Sequence, residues 1–202
     1  MTKIKVTYFD MNGGRGEPIR LILHYMEQKF EDHRFSFNEF AEVRKKTPFG
    51  QVPVVDIDGE QITQCNALGR YFGKQAGLYP DDTYQALLCD EVMDAIEDVS
   101  HKLGGTLGLD GDALKNARDQ LVAGPVTWTL KWLDERLAKQ GGEYFADNRL
   151  TIADLKVLVF VQWLCSGMLD HIPTALVHDI TPDLLAHQER VEGDPKIKSY
   201  YQ

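Results

Sequence analysis

The first part of the chain alternates between strand-like and helix-like stretches. Apolar and polar positions alternate from Lys3 to Phe9, which predicts a strand, and the turn-forming run 10–14 follows it. Pro18 then stands where the first turn of a helix tolerates proline, and an apolar-rich helix continues to about Gln28. The chain therefore opens as a strand, a glycine-rich loop and a helix.

A second round of alternation ends in a hairpin. Residues 30–37 alternate again, and a short helix-like stretch separates them from a predicted strand over residues 52–57. Asp58-Gly59 marks a tight hairpin into residues 60–63, and residues 64–75 form a helix. Helices that accompany a sheet in this order predict a small mixed α/β domain.

Helical periodicity replaces the alternation after the Gly-, Pro- and Asp-rich stretch 77–82. One apolar stripe has the spacing of a single helix face and stops at Gly104-Gly105. Its members are Leu88, Val92, Ile96, Val99 and Leu103. We therefore predict two domains, an α/β domain over residues 1–79 and an all-helical domain over residues 83–202.

Two further signals support helices in the second half. Residues 113–139 have a helical pattern, with a kink expected at Gly124-Pro125. Thr151 followed by Asp154 is typical of a capping box, and the helix that it begins is apolar almost all round. That helix should be the buried axis of the domain.

Composition excludes several functions. Of the 202 residues, 31 are acidic and 22 are basic, and a net charge of −9 disfavours nucleic acid and anionic membranes as partners. Cys65, Cys89 and Cys165 have neither the spacing of a zinc site nor that of a disulfide framework. No apolar run suits a signal peptide or a membrane span, so we expect a cytoplasmic protein.

Two loops in the first half suit a ligand held by backbone atoms. The loop 10–16 leads from a strand into a helix N-terminus, although it lacks the spacing of the nucleotide-binding glycine motifs. Pro53 stands at the first residue of a strand, where a cis bond can present the preceding backbone to a ligand. A flexible turn and an edge-strand proline without a ligand are the alternatives.

Many motifs of one family then occur in order along the chain. They are Tyr8-Phe9, Gly14-Arg15-Gly16-Glu17, Ile19-Arg20, Phe30-Glu31-Asp32-His33-Arg34, Pro48-Phe49-Gly50-Gln51-Val52-Pro53, Asp56 to Gly59, Gln64-Cys65 and Arg70-Tyr71. Through them the chain resembles the cytosolic glutathione S-transferases over nearly its whole length. It most resembles the sigma class, which includes the haematopoietic prostaglandin D synthases. The resemblance implies a thioredoxin-like N-terminal domain with a cis Pro53, an all-α C-terminal domain, a homodimer and a role in detoxification.

The resemblance also implies glutathione as co-substrate and Tyr8 and Arg15 as catalytic residues. A thiol with a pKa of about 8.5 is mostly protonated at neutral pH. A hydrogen bond to the thiolate contributes about 1.5–3 kcal/mol, close to what lowering that pKa by about 2 requires. Arg15 adds fixed positive charge near the sulfur. From the residues alone, the pattern favours a strand tyrosine packed in the core, and only the resemblance makes Tyr8 catalytic.

Further glutathione contacts follow from the resemblance. Gln64 and Cys65 begin a helix whose N–H groups receive the glutamyl carboxylate, although Cys65 replaces the usual serine and is a weaker donor. Phe40 replaces a tryptophan, and Arg44 offers a fork to the glycyl carboxylate. The implied glutathione contacts are Tyr8, Arg15, Phe40, Arg44, Gly50, Gln51, Val52, Pro53, Gln64, Cys65 and Asp98.

An acidic stripe runs along one predicted helix. Asp90, Asp94 and Asp98 are spaced four residues apart with Glu97 beside them, and a solvated helix face explains such a run. The resemblance places Asp98 at the glutamyl amine in the other subunit's site. It also matches Asp94, Glu97 and Asp98 to a divalent-cation cluster that would hold magnesium or calcium. Phe49 is interpreted either as an aromatic key for the partner subunit or as core.

The leading hypothesis is a glutathione transferase in which Tyr8 stabilises the glutathione thiolate for attack on a hydrophobic electrophile. On the first domain, Phe9, Met11 and Gly13 contribute to the electrophile pocket. Two alternatives stay open. One is a glutathione-dependent prostaglandin D isomerase, and the other is a non-enzymatic crystallin or ligand-binding relative.

Overall fold

The first half of the chain forms a four-stranded mixed sheet in the computed structural model, which describes residues 2–202. The strands are β1 (Ile4–Phe9), β2 (Glu31–Phe35), β3 (Val54–Ile57) and β4 (Glu60–Ile62), in the order β2-β1-β3-β4. β1 runs parallel to β2 and antiparallel to β3, and β3 pairs antiparallel with β4. The inner positions of β1 are buried, as its alternation predicts.

Three helices accompany the sheet: α1 (Glu17–Tyr25), α2 (Phe40–Val43) and α3 (Cys65–Gln75). α1 has Pro18 in its first turn and ends three residues before the predicted boundary. Asp58 and Gly59 have φ values of 51° and 96°, which suit the tight hairpin between β3 and β4. α1 and α3 pack together, and the middle of α1 is fully buried.

The second half is helical: α4 (Thr83–Gly104), α5 (Gly111–Leu121), α6 (Thr127–Lys139), α7 (Ile152–Cys165), α8 (Leu176–Ile180), α9 (Pro182–Glu192) and α10 (Pro195–Tyr200). Asp82 caps α4 by accepting hydrogen bonds from the N–H groups of Tyr84 and Gln85. All five residues of the predicted apolar stripe on α4 are buried. The irregularity expected at Gly124-Pro125 is a single π turn between α5 and α6.

The predicted capping box of α7 is confirmed, and it belongs to a larger buried cluster. The Asp154 carboxylate accepts hydrogen bonds from the backbone N–H groups of Thr151 at 2.7 Å and of Phe145 at 3.0 Å. The Nε2 of His187 lies 2.9 Å from the same carboxylate. Asp154 and His187 are both fully buried, and α7 is buried on nearly every side. One carboxylate therefore joins the start of α7, the loop before it and α9.

The chain divides into two compact units by its internal contacts. The first contains the chain up to Tyr79 together with Lys196–Gln202, and the second spans Pro80–Pro195. The division near residue 80 lies where the sequence changes character. The assignment of residues 83–202 to one domain differs from this division at its end, because Lys196–Gln202 group with the first unit. Within residues 2–202, no helix is long and apolar enough to cross a membrane.

Candidate active site

Tyr8 lies near the end of β1, where the glycine-rich loop turns over its ring. Its side chain is 6% exposed, and the backbone N–H of Arg15 donates a hydrogen bond to its hydroxyl oxygen at 2.9 Å. A Cβ added to Gly14 would collide with the Tyr8 hydroxyl, and one added to Gly16 would collide with the ring. The glycines of this loop therefore allow its backbone to enclose the phenol.

The burial of Tyr8 reinforces its protonated state. Burial raises the pKa of Tyr8, and the hydrogen bond and the positive charge from Arg15 only partly oppose this effect. A tyrosine has an unperturbed pKa of about 10, so Tyr8 is a neutral phenol at physiological pH. The bond from Arg15 uses a lone pair of the oxygen, which leaves the hydroxyl proton to donate to a ligand.

A buried arginine beneath this loop was missed by the sequence reasoning. The Arg20 side chain is 0% exposed and forms ion pairs with Glu17 at 3.2 Å and with Asp32 at 2.9 Å. Arg34 also pairs with Asp32, at 2.7 Å. The sequence does show a charged residue inside the apolar stretch of α1. Because a buried charge requires partners, this position could have indicated a buried ion pair.

Arg20 holds the backbone at the point where β1 ends and the glycine-rich loop begins. Its guanidinium donates to the carbonyl oxygens of Met11 at 3.0 Å and of Phe9 at 3.3 Å, and it lies 5.7 Å from the centre of the Tyr8 ring. Charge-assisted hydrogen bonds to two carbonyls fix the path of the chain as it leaves β1. Arg20 therefore supports the backbone that carries Tyr8.

Phenylalanine side chains cluster beside the end of β1. The Phe9 ring stacks on that of Phe37 at 4.4 Å and meets those of Phe35 and Phe40 at 4.9 and 5.1 Å. The Arg44 guanidinium lies 5.4 Å from the centre of the Phe40 ring. The structure thus brings Phe9, predicted for the electrophile pocket, against Phe40, predicted for glutathione. Phe37, which is 54% exposed, was missed.

The other two residues predicted for the electrophile pocket belong to the loop after β1. Met11 is half-buried there, and Gly13 is buried.

The loop before β3 has the predicted cis bond between Val52 and Pro53. A Cβ on Gly50 would lie 3.4 Å from guanidinium nitrogens of Arg44, so the Arg44 side chain extends along this loop. Gln51 is exposed, Val52 is half-buried and Pro53 is buried. Arg44 and the segment 50–53 are therefore neighbours, as their shared assignment to glutathione requires.

Phe49, in the same loop, is 79% exposed. The interpretation of this residue as core is wrong.

Gln64 and Cys65 form the entry to α3. Gln64 is exposed and has a φ of 71°, a conformation that is uncommon for a residue other than glycine. Cys65 is half-buried, its Sγ lies 3.7 Å from Oδ1 of Asn66, and it contributes to the electrostatic environment of Tyr8. Asp98 is exposed on α4, in the second unit.

The residues of the acidic stripe do not fit a metal ion. The Glu97 carboxylate forms an ion pair with the Lys156 ammonium at 2.9 Å, which supplies the positive charge that a cation would bring. Asp94 and Asp98 are exposed. Across residues 2–202, no three histidine, cysteine or acidic side chains are grouped to hold a metal. The expectation of magnesium or calcium at Asp94, Glu97 and Asp98 is therefore not supported.

Two family models match the chain. The model described as "Glutathione S-transferase, N-terminal domain" matches residues 4–74, and that described as "Glutathione S-transferase, C-terminal domain" matches residues 97–202. The chain belongs to the glutathione S-transferase family. A curated relative of this family, glutathione S-transferase 1 of Ascaris suum, is 36% identical over 78% of each chain.

Other relatives of this glutathione S-transferase include prostaglandin D synthases and a transferase described as monomeric. Hematopoietic prostaglandin D synthase of Gallus gallus is 31% identical over 100% of this chain and 96% of its own. The solved prostaglandin synthase D of Nilaparvata lugens has a TM-score of 0.87 at 28% identity, over 98% of this chain and 96% of that one. Na-GST-3 of Necator americanus, described as monomeric, has a TM-score of 0.75 at 26% identity, over 98% and 96% of the two chains.

The predicted fold is thereby confirmed as the glutathione S-transferase fold, with a thioredoxin-like α/β part and a helical part. The prediction of an enzyme of the glutathione transferase type is confirmed as well. Glutathione is the co-substrate of this family. Membership leaves the class and the oligomeric state open, because transferases, prostaglandin D synthases and a monomeric protein all occur among the relatives.

Proposed function

We propose that this glutathione S-transferase belongs to the sigma class and that the Tyr8 hydroxyl donates a hydrogen bond to the glutathione thiolate. The observation that carries the proposal is the state of Tyr8: a buried neutral phenol whose oxygen already accepts from Arg15 N–H and whose proton is left to donate. Such a donor stabilises the thiolate, which then attacks a hydrophobic electrophile.

Positive charge near Tyr8 supports the same role. Arg15 and Arg20 both act on the phenol electrostatically and lower its pKa against the effect of burial. A sulfur anion beside the hydroxyl would experience the same two charges. The thiolate is therefore favoured both by a hydrogen bond and by the local field.

The neighbouring residues supply contacts for the rest of the tripeptide. Arg44 would bind the glycyl carboxylate beside Phe40, and the backbone of segment 50–53 would pair with the peptide. Gln64 and Cys65 would receive the glutamyl carboxylate at the start of α3. The electrophile would lie against Phe9, Met11 and Gly13.

The proposal extends to assembly and location. The enzyme would act as a cytoplasmic homodimer in detoxification, with Asp98 of one subunit at the glutamyl amine in the site of the other.

A glutathione-dependent prostaglandin D isomerase is the second candidate. It is favoured by the curated and solved relatives of that name, which match nearly the whole chain. The same thiolate would serve both reactions, so the electrophile pocket decides between them. Incubation with a prostaglandin endoperoxide, with and without glutathione, distinguishes the two: glutathione-dependent formation of prostaglandin D above the spontaneous rate supports the isomerase.

The test of Tyr8 is conjugation of glutathione to a chromogenic aryl halide, in which a carbon–sulfur bond forms and halide leaves. We expect Tyr8→Phe to lower kcat/KM about 10- to 100-fold at neutral pH, the effect of losing one hydrogen bond to a charged acceptor. The matched control is Tyr71→Phe, because Tyr71 is exposed on α3 and its ring meets that of Phe72. Equal rates for Tyr8→Phe and the wild type would reject the role of Tyr8.

A further inference from the structure

The carboxylate of Asp32 joins two arginines beside the loop that follows β1. Its Oδ1 accepts a hydrogen bond from Nε of Arg20 at 2.9 Å, and its Oδ2 accepts one from Nε of Arg34 at 2.7 Å. Arg20 belongs to α1, whereas Asp32 and Arg34 are two residues apart on β2 and so share one face of that strand. We call Arg20, Asp32 and Arg34 the arginine clamp.

Arg34 holds the polar side chains at the start of the glycine-rich loop. Its Nη1 donates to Oδ1 of Asn12 at 3.2 Å and forms an ion pair with the Asp10 carboxylate at 3.5 Å. The backbone N–H of Asp10 donates to the carbonyl oxygen of Phe35 at 2.9 Å, so the loop leaves β1 alongside β2. The side chains at positions 10 and 12 are therefore bound to β2.

Arg20 holds the residues that alternate with these two by their backbone. Its side chain is 0% exposed and donates to the carbonyl oxygens of Phe9 and Met11. Residues 9–12 are thus bound alternately, at two carbonyls from α1 and at two side chains from β2. Because both guanidiniums bond to one carboxylate, Asp32 sets where both of them stand.

We propose that Asp32 is a positioning residue for the electrophile, acting through the arginine clamp on residues 9–12. The inference rests on the proposed function, which places the electrophile against Phe9 and Met11. Residues 10–12 lie beyond the end of β1, where strand pairing no longer fixes the chain. The clamp supplies this constraint, and a loosened clamp lets that wall of the electrophile pocket shift.

The proposal separates the two substrates. Tyr8 lies within β1, opposite Arg34 in the parallel pairing with β2, and its hydroxyl accepts a hydrogen bond from the N–H of Arg15. These backbone bonds do not involve the Asp32 side chain. The other residues proposed to bind glutathione belong to later segments of the chain. Loss of the clamp therefore weakens capture of the electrophile and leaves glutathione bound.

The test is steady-state conjugation of glutathione to an aryl halide by the full-length enzyme and by Asp32→Asn and Arg34→Gln. An amide has one acceptor oxygen, so Asp32→Asn keeps the buried Arg20 and releases Arg34. We expect each variant to raise the KM for the aryl halide about fivefold, with kcat and the KM for glutathione within about twofold of the wild type. Glu31→Gln and Lys5→Gln are the matched controls, because they make the same charge changes in a surface pair between β1 and β2.

The double variant tests whether both residues act through one clamp. Asp32→Asn combined with Arg34→Gln should raise the KM for the aryl halide no more than about fivefold. Multiplication of the two single effects, to about 25-fold, would overturn the shared route.

The remaining outcomes are equally decisive. A wild-type KM for the aryl halide in Arg34→Gln overturns the inference, and this variant decides the matter if Asp32→Asn is too unstable to assay. A lower melting temperature and lower kcat with both KM values unmoved make the clamp purely structural, which also overturns it. The proposed function fails in a different measurement, namely a Tyr8→Phe enzyme as active as the wild type.

Discussion

Gly16 lies so close to the Tyr8 ring that there is no room for a side chain at this position. Its φ of −83° is one that any residue adopts, so the backbone itself does not require glycine there. The requirement comes from the ring, which a Cβ would overlap. Gly14 differs, because its φ of 63° adds backbone strain to the same collision.

Gly16→Ala is therefore expected to displace Tyr8 while leaving the rest of the fold intact. The kcat/KM for conjugation should fall at least about 10-fold, since a small misplacement of a catalytic group is costly. Gly124→Ala is the control, because a Cβ there meets only the Trp128 ring at an ordinary 3.8 Å. Kinetics and thermal melting of both variants check this. A Gly16→Ala enzyme with wild-type kinetics would contradict the close fit.

Sequence motifs predicted part of the site, and the missing part has a common physical character. The resemblance to the family indicated Tyr8 and Arg15, and Pro53 was recognisable from its place at the start of a strand. Arg20 and the Lys156 partner of Glu97 are charges inside apolar helical stretches. Periodicity describes such residues as interruptions, and only the fold shows which opposite charge each one meets.

Asp154 shows how one side chain can organise several elements. Capping explains its bond to Thr151, whereas the bonds to Phe145 and His187 reach 9 and 33 residues along the chain. The capping box was predictable because it is local. The other two partners were not, since nothing in their own neighbourhoods marks them as partners of a buried carboxylate.

Asp154→Ala is expected to destabilise the protein by about 3–5 kcal/mol, because it leaves buried donors without an acceptor. The control is Asp179→Ala on α8, where the carboxylate is largely exposed beside His178. Midpoints of urea unfolding compare the two variants with the wild type, and Asp179→Ala should change the midpoint little. Similar unfolding midpoints for the two variants would show that the buried cluster stabilises the protein no more than a surface ion pair does.

The two units carry opposite net charge, which the total of −9 conceals. The first has 13 basic and 10 acidic residues, a net charge of +3, and the second has 9 basic and 21 acidic residues, a net charge of −12. Glutathione is an anion at neutral pH, with two carboxylates and one amine. Apart from Asp98, the residues proposed to bind glutathione lie in the first unit, and the positive net charge of this unit favours an anionic ligand.

Salt should accordingly weaken glutathione binding. We expect the Kd to rise about two- to threefold as ionic strength increases from about 0.01 M to about 0.5 M, since the screening length shortens over this range. Arg44→Gln should reduce that dependence, whereas Lys45→Gln should leave it nearly unchanged, because Lys45 already pairs with Glu42 on the surface. Calorimetric titrations measure all three proteins. Equal salt dependence in both variants would exclude Arg44 as a contact for the tripeptide.

The position of Lys196–Gln202 in the first unit also orders the events of synthesis. A ribosome completes every residue of the helical unit before it makes Lys196 and Ser199, so α1 emerges long before the side chains that contact its end at His24 and Tyr25. Domains that are contiguous in sequence fold as they emerge. Here the unit that is made first receives its last contacts, those of Lys196 and Ser199 at the end of α1, only after the helical unit has been translated.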